Sequence, residues 1–443
     1  MNKKNNIGFV GLGKLGSCMV ACLADADFNL FVHDINADNV IDIIKGVPPK
    51  GVREPNLPEL LFENRNRIHD ATCKTIIEET SSCFICVLTP SKIDSSFSIK
   101  HLKDSLKDLS VELKNSKKKY YNFFIISTVS PGAIELELIP FIEKHSGRTF
   151  NQDFGLCYTP WFIALGTTVN DFKNPNLITI GSNKKEDGDL LESMYKKMIK
   201  NHPEIYRLSI VEAEIAKLGA NTFSAVKLSL ANLLSNICEE FDGANVDRVN
   251  AAITGDKRFS PLFFKGGMSF GGPCLPRDLK AFSRLCKSVG LESSLSEAAE
   301  DINQDQIFRL FESIKSFSDF ERKKIVIMGL SYKPGASYVF ESPSMWLIDL
   351  LLEEDYEVIV YDPPTYEFAR EILKNKVQYA ENISECFKDD CYCVIAVKDN
   401  KFTHLQGIKP GSAIFDCWRI IDQKDVPNNV DVISIGQGHY TYT

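Results

Sequence analysis

Short apolar runs, each followed by a polar turn and a stretch with helical spacing, recur along this chain and fix its fold class before any motif is considered. Ile7 to Val10 leads into a glycine-rich turn, a helix-like run reaches Ala24, and Leu30 to Val32 ends at Asp34. Further strands are expected at Cys83 to Leu88, Phe123 to Ser127 and Leu177 to Ile180, with helical or polar stretches between them. This alternation predicts an α/β fold built on a doubly wound parallel sheet. Val211 to Phe241 contains no proline and one glycine, Gly219, which predicts a single helix of roughly 45 Å. A second alternation begins at Lys323 to Met328 and passes through the turn Gly329 to Gly335. It continues with a helix capped by Ser342 with Pro343 in first position, then Val358 to Tyr361 and Asp362. Val394 to Val397 and Ala413 to Asp416 are expected to complete that sheet. The predicted architecture is two Rossmann-like doubly wound domains joined by a long central helix. The bounds are 1–208, 209–318 and 319–443.

Composition narrows the partners. The chain has 443 residues, 44% hydrophobic and 25% charged, enough for two or three domains with ordinary cores. A net charge of −8 argues against a nucleic-acid surface and for a small-molecule partner. The lysines 117–119 are expected to form a solvated loop. Thirteen cysteines scattered through apolar segments suit a reducing cytoplasm better than a disulfide framework. Cys83 and Cys86, or Cys391 and Cys393, lack a second pair at zinc spacing, so no metal is expected. No apolar run approaches the ~20 residues of a membrane span. The N-terminal lysines resemble a signal peptide's charged region, but the apolar stretch after them is broken by Lys14 and runs into a strand pattern.

Chemistry enters at two places. Gly11-Leu12-Gly13-Lys14-Leu15-Gly16 after a strand, with Asp34 ending the next strand, is the pattern of a dinucleotide site. Glycines there allow a tight turn and backbone approach to a pyrophosphate, and the acid can accept hydrogen bonds from ribose hydroxyls. An acid at that point favours NAD over NADP. The turns Thr89-Pro90 and Ser127 to Gly132 follow strands at the edge where such sheets bind ligands, although a threonine in a turn is also an ordinary cap residue. The second place is Phe270 to Asp278, FGGPCLPRD, which sets Cys274 at the opening of a helix with Pro276 and Asp278 in its first turn. The N–H groups and dipole of a helix start stabilise a thiolate, making Cys274 a candidate nucleophile; a buried thiol in a tight turn is the alternative. Along the long helix, Glu214, Lys217, Asn221 and Ser224 share one face, either as a solvated stripe or as part of a site.

Taken together these residues resemble the UDP-glucose/GDP-mannose dehydrogenase family, NAD-dependent enzymes that oxidise the C6 alcohol of a nucleotide sugar to a carboxylate. The resemblance runs nearly end to end. It rests on GFVGLGKLG with Asp34, the turns LTP and STVSPG, AEIAKLGAN (213–221), GDKRFS (255–260), FGGPCLPRD, and GLSYKP followed by ESP (341–343). It implies an N-terminal NAD domain, a dimer interface on the long helix, and a C-terminal domain for the UDP or GDP moiety. Cys274 would form a thiohemiacetal and then a thioester, with Lys217 and Asn221 stabilising oxyanions. Asp278 would hold Lys217 charged or orient the hydrolytic water, and Thr128 would hold a water near the nicotinamide. The cofactor would be held by Gly11, Gly13, Lys14, Leu15, Gly16, Asp34, Thr89, Thr128 and Arg277. The sugar nucleotide would meet Trp161, Phe162, Ile163, Ala164, Leu165, Lys217, Asn221, Phe263, Gly271 and Lys333, with Arg258 reaching a neighbouring copy's site in a homodimer. The implied reaction oxidises a UDP- or GDP-hexose at C6, with UDP-glucose to UDP-glucuronate as the leading case and the base and hexose left open by the residues, and supplies uronic acids for polysaccharide synthesis.

Two departures stand out. Trp161 occupies a position where the family commonly has glutamate, and Phe340 one where an arginine usually precedes ESP; many members also carry an acid where Leu165 stands. Loss of general-base help costs about 100- to 10,000-fold, and thioester hydrolysis is the exposed step. The competing readings are a two-electron dehydrogenase of the β-hydroxyacid type, an aldehyde-forming variant, and a nucleotide-sugar binding protein with weakened turnover.

Overall fold

The computed structural model describes residues 5–318, 324–405 and 407–438. Lys323, where the second alternation was expected to open, lies outside them. The chain divides into two compact units, Met1–Gly219 and Ala220–Thr443, and the division falls inside the long helix, which runs unbroken over Ile210–Glu239.

In the first unit, eight strands form one sheet: β1 (Asn6–Val10), β2 (Asn29–His33), β3 (Ile68–Asp70), β4 (Ser82–Ile85), β5 (Tyr121–Ile125), β6 (Phe154–Tyr158), β7 (Leu177–Ser182) and β8 (Glu204–Leu208). Their order is β3-β2-β1-β4-β5-β6-β7-β8. Both faces are buried, so the central strands are apolar without alternation. Phe9, Phe84 and Phe124 enter one core layer, while Val10, Ile85, Phe123 and Ile125 enter the other. The sheet is parallel as expected except at one pairing, where β7 runs antiparallel to β6, with Cys157 opposite Ser182 and Tyr158 opposite Gly181. The chain therefore turns back at the carboxyl end of β6. That places residues 159–176, including the candidate segment 161–165, at the edge where such sheets bind ligands.

In the second unit, β9 (Lys324–Met328), β10 (Val358–Tyr361), β11 (Gln378–Tyr379), β12 (Cys391–Ile395), β13 (Ala413–Asp416) and β14 (Asp431–Ser434) form a parallel sheet in the order β11-β10-β9-β12-β13-β14. Strand β9 repeats the double-sided pattern, with Ile325 and Ile327 in one layer and Val326 and Met328 in the other. The first turn also repeats. Gly11 N–H donates to the His33 carbonyl and Gly329 N–H to that of Tyr361, while the acid ending the second strand accepts from the residue after the glycine in each unit. Ser342 does precede the helix Pro343–Glu353, but its hydroxyl makes no cap bond and is buried without a protein partner, so Pro343 rather than the serine side chain marks that start. No helix among the described residues is long and apolar enough to cross a membrane.

Candidate active site

The glycine turn of the first unit is shaped by what each glycine avoids. Gly11 has φ +98°, and a Cβ there would lie 2.2 Å from the Cys86 carbonyl oxygen; one at Gly16 would lie 1.9 Å from that of Gly11. Gly13 has nothing within 4 Å of the equivalent point. The outer glycines thus allow the turn to close, and the middle one leaves bare backbone at the start of the helix Lys14–Asp25, whose N-cap carries no side-chain bond and whose first turn holds no acid. An uncovered helix start suits a pyrophosphate. Asp34 fixes this turn, accepting from Leu12 N–H at 2.5 Å and Asn36 N–H at 2.8 Å. Asn39 Nδ2 donates to it as well, at 3.4 Å, so of the about four lone-pair sites of a carboxylate one remains for a ribose hydroxyl.

At the carboxyl ends of β4 and β5, Ser127 ties the two strands together, accepting from Val87 N–H at 2.9 Å and donating to its carbonyl at 2.7 Å. Thr89 is buried and Thr128 half-buried. The turn that follows is held by Glu214, whose side chain is fully buried; its carboxylate accepts from Gly132 N–H at 2.6 Å and Ile134 N–H at 3.1 Å. Burial lifts this carboxyl to about 7, partly offset by the two amides, with Glu135 adding a smaller push in the same direction as burial. One helical turn on, buried Lys217 donates to the Trp161 carbonyl at 2.9 Å and lies 4.7 Å from the centre of the Phe162 ring. Lys217 and Glu214 therefore do not belong to a solvated stripe. Asn221 and Ser224 are half-buried.

Trp161 contributes differently from expectation. Its indole belongs to the core, edge-on to Phe172 and Tyr195, with Nε1 donating to the Tyr195 hydroxyl at 3.2 Å. Only its carbonyl faces Lys217, so the side chain offers no surface to a substrate. Phe162, Ile163 and Leu165 are half-buried and Ala164 exposed. Sequence reasoning missed the residue that anchors this segment. Glu54 is 5% exposed and accepts from Gly166 N–H at 2.7 Å and Thr168 N–H at 3.0 Å. Its signal was an acid placed before a proline in a polar stretch, with nothing to show where it would point.

In the second unit, Cys274 occupies the N-cap of the helix Leu275–Ser288 and is the single exposed thiol among thirteen, which removes the buried-turn alternative. Asp278, fully buried in the first turn, accepts from Asn221 Nδ2 at 2.6 Å and from Arg277 Nε at 2.8 Å. The Asn221 amide thus commits one of its two N–H bonds to Asp278 and keeps the other. The Arg277 guanidinium, expected to face cofactor phosphates, folds onto its neighbour's carboxylate. Two glycines seat this loop. Gly272, at φ +84°, donates to the Glu341 carbonyl at 2.7 Å, and a Cβ there would come within 2.5 Å of the Tyr332 ring; at Gly271 it would meet the Glu341 oxygen at 2.1 Å. The thiol loop is therefore packed on the turns SYKP and ESP of the same unit. Lys333 is half-buried there, and its carbonyl accepts from the Ser331 hydroxyl. Arg258 is exposed and paired with Asp256 at 2.7 Å, and Phe263 and Phe340 are exposed. Among the described residues, no three His, Cys, Asp or Glu side chains are grouped to hold a metal ion.

Three family models match consecutive stretches of the chain: the NAD binding domain of the UDP-glucose/GDP-mannose dehydrogenase family at residues 5–199, its central domain at 211–305 and its UDP binding domain at 326–423. A UDP-glucose 6-dehydrogenase of Haloferax volcanii is 29% identical over 402 residues, covering 90% of this chain and 92% of the relative. A GDP-mannose 6-dehydrogenase of Pseudomonas aeruginosa is 29% identical, covering 89% of each. The structure of a UDP-glucose dehydrogenase from Pyrobaculum islandicum superposes with a TM-score of 0.88 at 25% identity over 98% of both chains. NAD is the cofactor, matching the bare-backbone turn described above. The chain belongs to the UDP-glucose/GDP-mannose dehydrogenase family, oxidoreductases of the nucleotide-sugar 6-dehydrogenase kind.

Proposed function

We propose that this protein oxidises the C6 hydroxyl of a nucleotide sugar to a carboxylate, UDP-glucose to UDP-glucuronate, through a covalent bond to Cys274. The observation that carries this reading is the lone exposed thiol at a helix start, beside an acid held by Asn221. The three parts 1–208, 209–318 and 319–443 would hold NAD, the dimer contact with the reactive thiol, and the nucleotide of the substrate.

When bound, NAD supplies a hydride acceptor for each oxidation. Gly11, Gly13, Lys14, Leu15, Gly16, Asp34, Thr89 and Thr128 are assigned to hold it, and Arg277, paired with Asp278, is left out of that set. Oxidation of the alcohol leaves an aldehyde at C6, and a hydroxyl proton departs to water held at Thr128. The Cys274 thiolate then adds to that carbon, forming a C–S bond and an oxyanion. Lys217, already aimed by the Trp161 carbonyl, and the free N–H of Asn221 are assigned to stabilise it. Loss of the second hydride converts the adduct to a thioester. Water adds to the acyl carbon, the C–S bond breaks, and the thiolate is regenerated, with Asp278 orienting the attack. One alcohol and one water yield a carboxylate, two hydrides and three protons. Phe162, Ile163, Ala164, Leu165, Phe263, Gly271 and Lys333 are assigned to the sugar nucleotide.

A homodimer is part of the proposal. Leu230, Leu233, Ile237 and Phe241 are exposed at three- and four-residue steps along the long helix and just beyond it, an apolar face that a second copy would cover. Arg258, exposed on this chain, would reach the second copy's substrate. The buried indole of Trp161 favours a further refinement, slow thioester hydrolysis with accumulation of acyl-enzyme, because no residue from 161 to 165 carries an acid. Counting NADH formed per sugar with UDP-glucose, GDP-mannose and UDP-N-acetylhexosamines tests the reading: two per UDP-glucose supports it, one indicates a two-electron enzyme, and zero with all of them a binding protein.

A further inference from the structure

Glu214 is an acid that the proposed chemistry does not use, fully buried on the helix that carries Lys217. Both of its oxygens are spent on the backbone. They accept from Gly132 and Ile134, which flank the start of the helical run Ile134–Leu138, while Pro131 just before them has no N–H to offer. Thr128 lies four residues before Gly132, and Ser127 locks the near end of the same turn to β4. The far end of the turn is therefore fixed by a side chain of the long helix.

We propose that Glu214 is a positioning residue: its carboxylate clamps the turn bearing Thr128 to the helical turn bearing Lys217, so that one rigid bracket sets the spacing of these two groups. The proposal rests on the roles given above to Thr128 and Lys217. A carboxylate is needed because it accepts from two N–H groups at once. A glutamine in its place presents one oxygen and one N–H₂, and the N–H₂ would face a backbone donor. Displacement of a reacting group by about 1 Å costs on the order of 100-fold in rate.

The test compares Glu214→Gln and Glu214→Asp with the unaltered enzyme by steady-state kinetics, NADH binding and hydrogen exchange followed by mass spectrometry. Glu214→Gln is expected to lower kcat by roughly ten- to a hundredfold with KM for the nucleotide sugar within about threefold. Exchange should quicken in the peptide covering residues 127–138 and stay unchanged in the one covering β1. Glu214→Asp keeps the charge but is one methylene short, and should show the same quickening. Unaltered kcat together with unaltered exchange at 127–138 in Glu214→Gln overturns the proposal. So does a loss spread evenly over every peptide, which would mark a general packing role. If the unaltered enzyme binds NADH but forms none from any sugar, the reading of function fails, while the exchange arm still decides whether the clamp exists.

Discussion

Stability should depend on pH through Glu214 in a direction opposite to that of an ordinary paired carboxylate. Its carboxyl titrates near 4.5 when exposed and at about 7 in the fold, because burial disfavours the charge more than two backbone amides favour it, and Glu135 adds to the same side. At about 1.4 kcal/mol per pH unit, the difference is worth roughly 3 kcal/mol. The sign follows from proton binding. The folded chain holds this proton more tightly than the unfolded one, so the group's contribution is fully present below about pH 4.5 and is lost as pH rises through about 7. The assay is the difference in unfolding free energy between Glu214→Gln and the unaltered protein, measured in urea from pH 5 to 8.5. The missing hydrogen bond contributes a constant offset, and only the titration contributes a slope. The variant should gain on the unaltered protein as pH rises, by up to about 3 kcal/mol across the window. A pH-independent difference would refute the assignment of a strained, buried charge. Above pH 7 the charged carboxylate also makes its strongest bonds to Gly132 and Ile134. The bracket is then tightest where it costs the fold most, a trade commonly found at active sites.

Other outcomes follow from the same geometry. Gly272→Ala places a Cβ within 2.5 Å of the Tyr332 ring at a left-handed φ, so it should cost about 1–3 kcal/mol, read as a lower thermal midpoint, and displace the Cys274 loop; an unchanged midpoint and kcat would contradict this packing. Trp161→Glu should not restore a base. It removes an indole from the core and buries an acid, so a loss of about 3–5 kcal/mol is expected, and faster thioester hydrolysis in a folded variant would be the contrary result. Asp278→Asn leaves Arg277 without its counter-charge and turns an amide toward Asn221, so kcat should fall at least about tenfold. Activity equal to the unaltered enzyme would show that the buried carboxylate is not needed.

The glycine turn with Asp34, the long helix and Cys274 at a helix start were legible in the sequence, because the turn and its acid lie at a set spacing within one strand–helix–strand unit, and the helix and the helix start depend on neighbours a few residues away. Features set by distant packing were not. Strand β6 was hidden by Gly155, which is a glycine because Asp187 and Asn122 approach so closely that a Cβ would lie 2.1 Å from the Asp187 carboxylate. Strand β3 is three residues long and β8 lies exposed at the sheet edge, too short or too polar to stand out. The reversal of β7 leaves no mark on its own apolar run. Lys217, Asn221 and Asp278 could be singled out as candidates from the sequence, but their hydrogen-bond partners could not. The Asn221–Asp278 bond joins residues 57 apart, and Glu54 meets Gly166 across 112 positions. The indole of Trp161 could be called a departure from the family pattern, yet only the fold reveals that it turns inward and leaves its carbonyl to Lys217.

On the proposed route the sulfur of Cys274 becomes bonded to the substrate's C6 before the second hydride leaves. Product analysis of Cys274→Ala with UDP-glucose and NAD reads this out. No uronic acid and at most traces of aldehyde should form, whereas acid formed at the rate of the unaltered enzyme would rule that bond out.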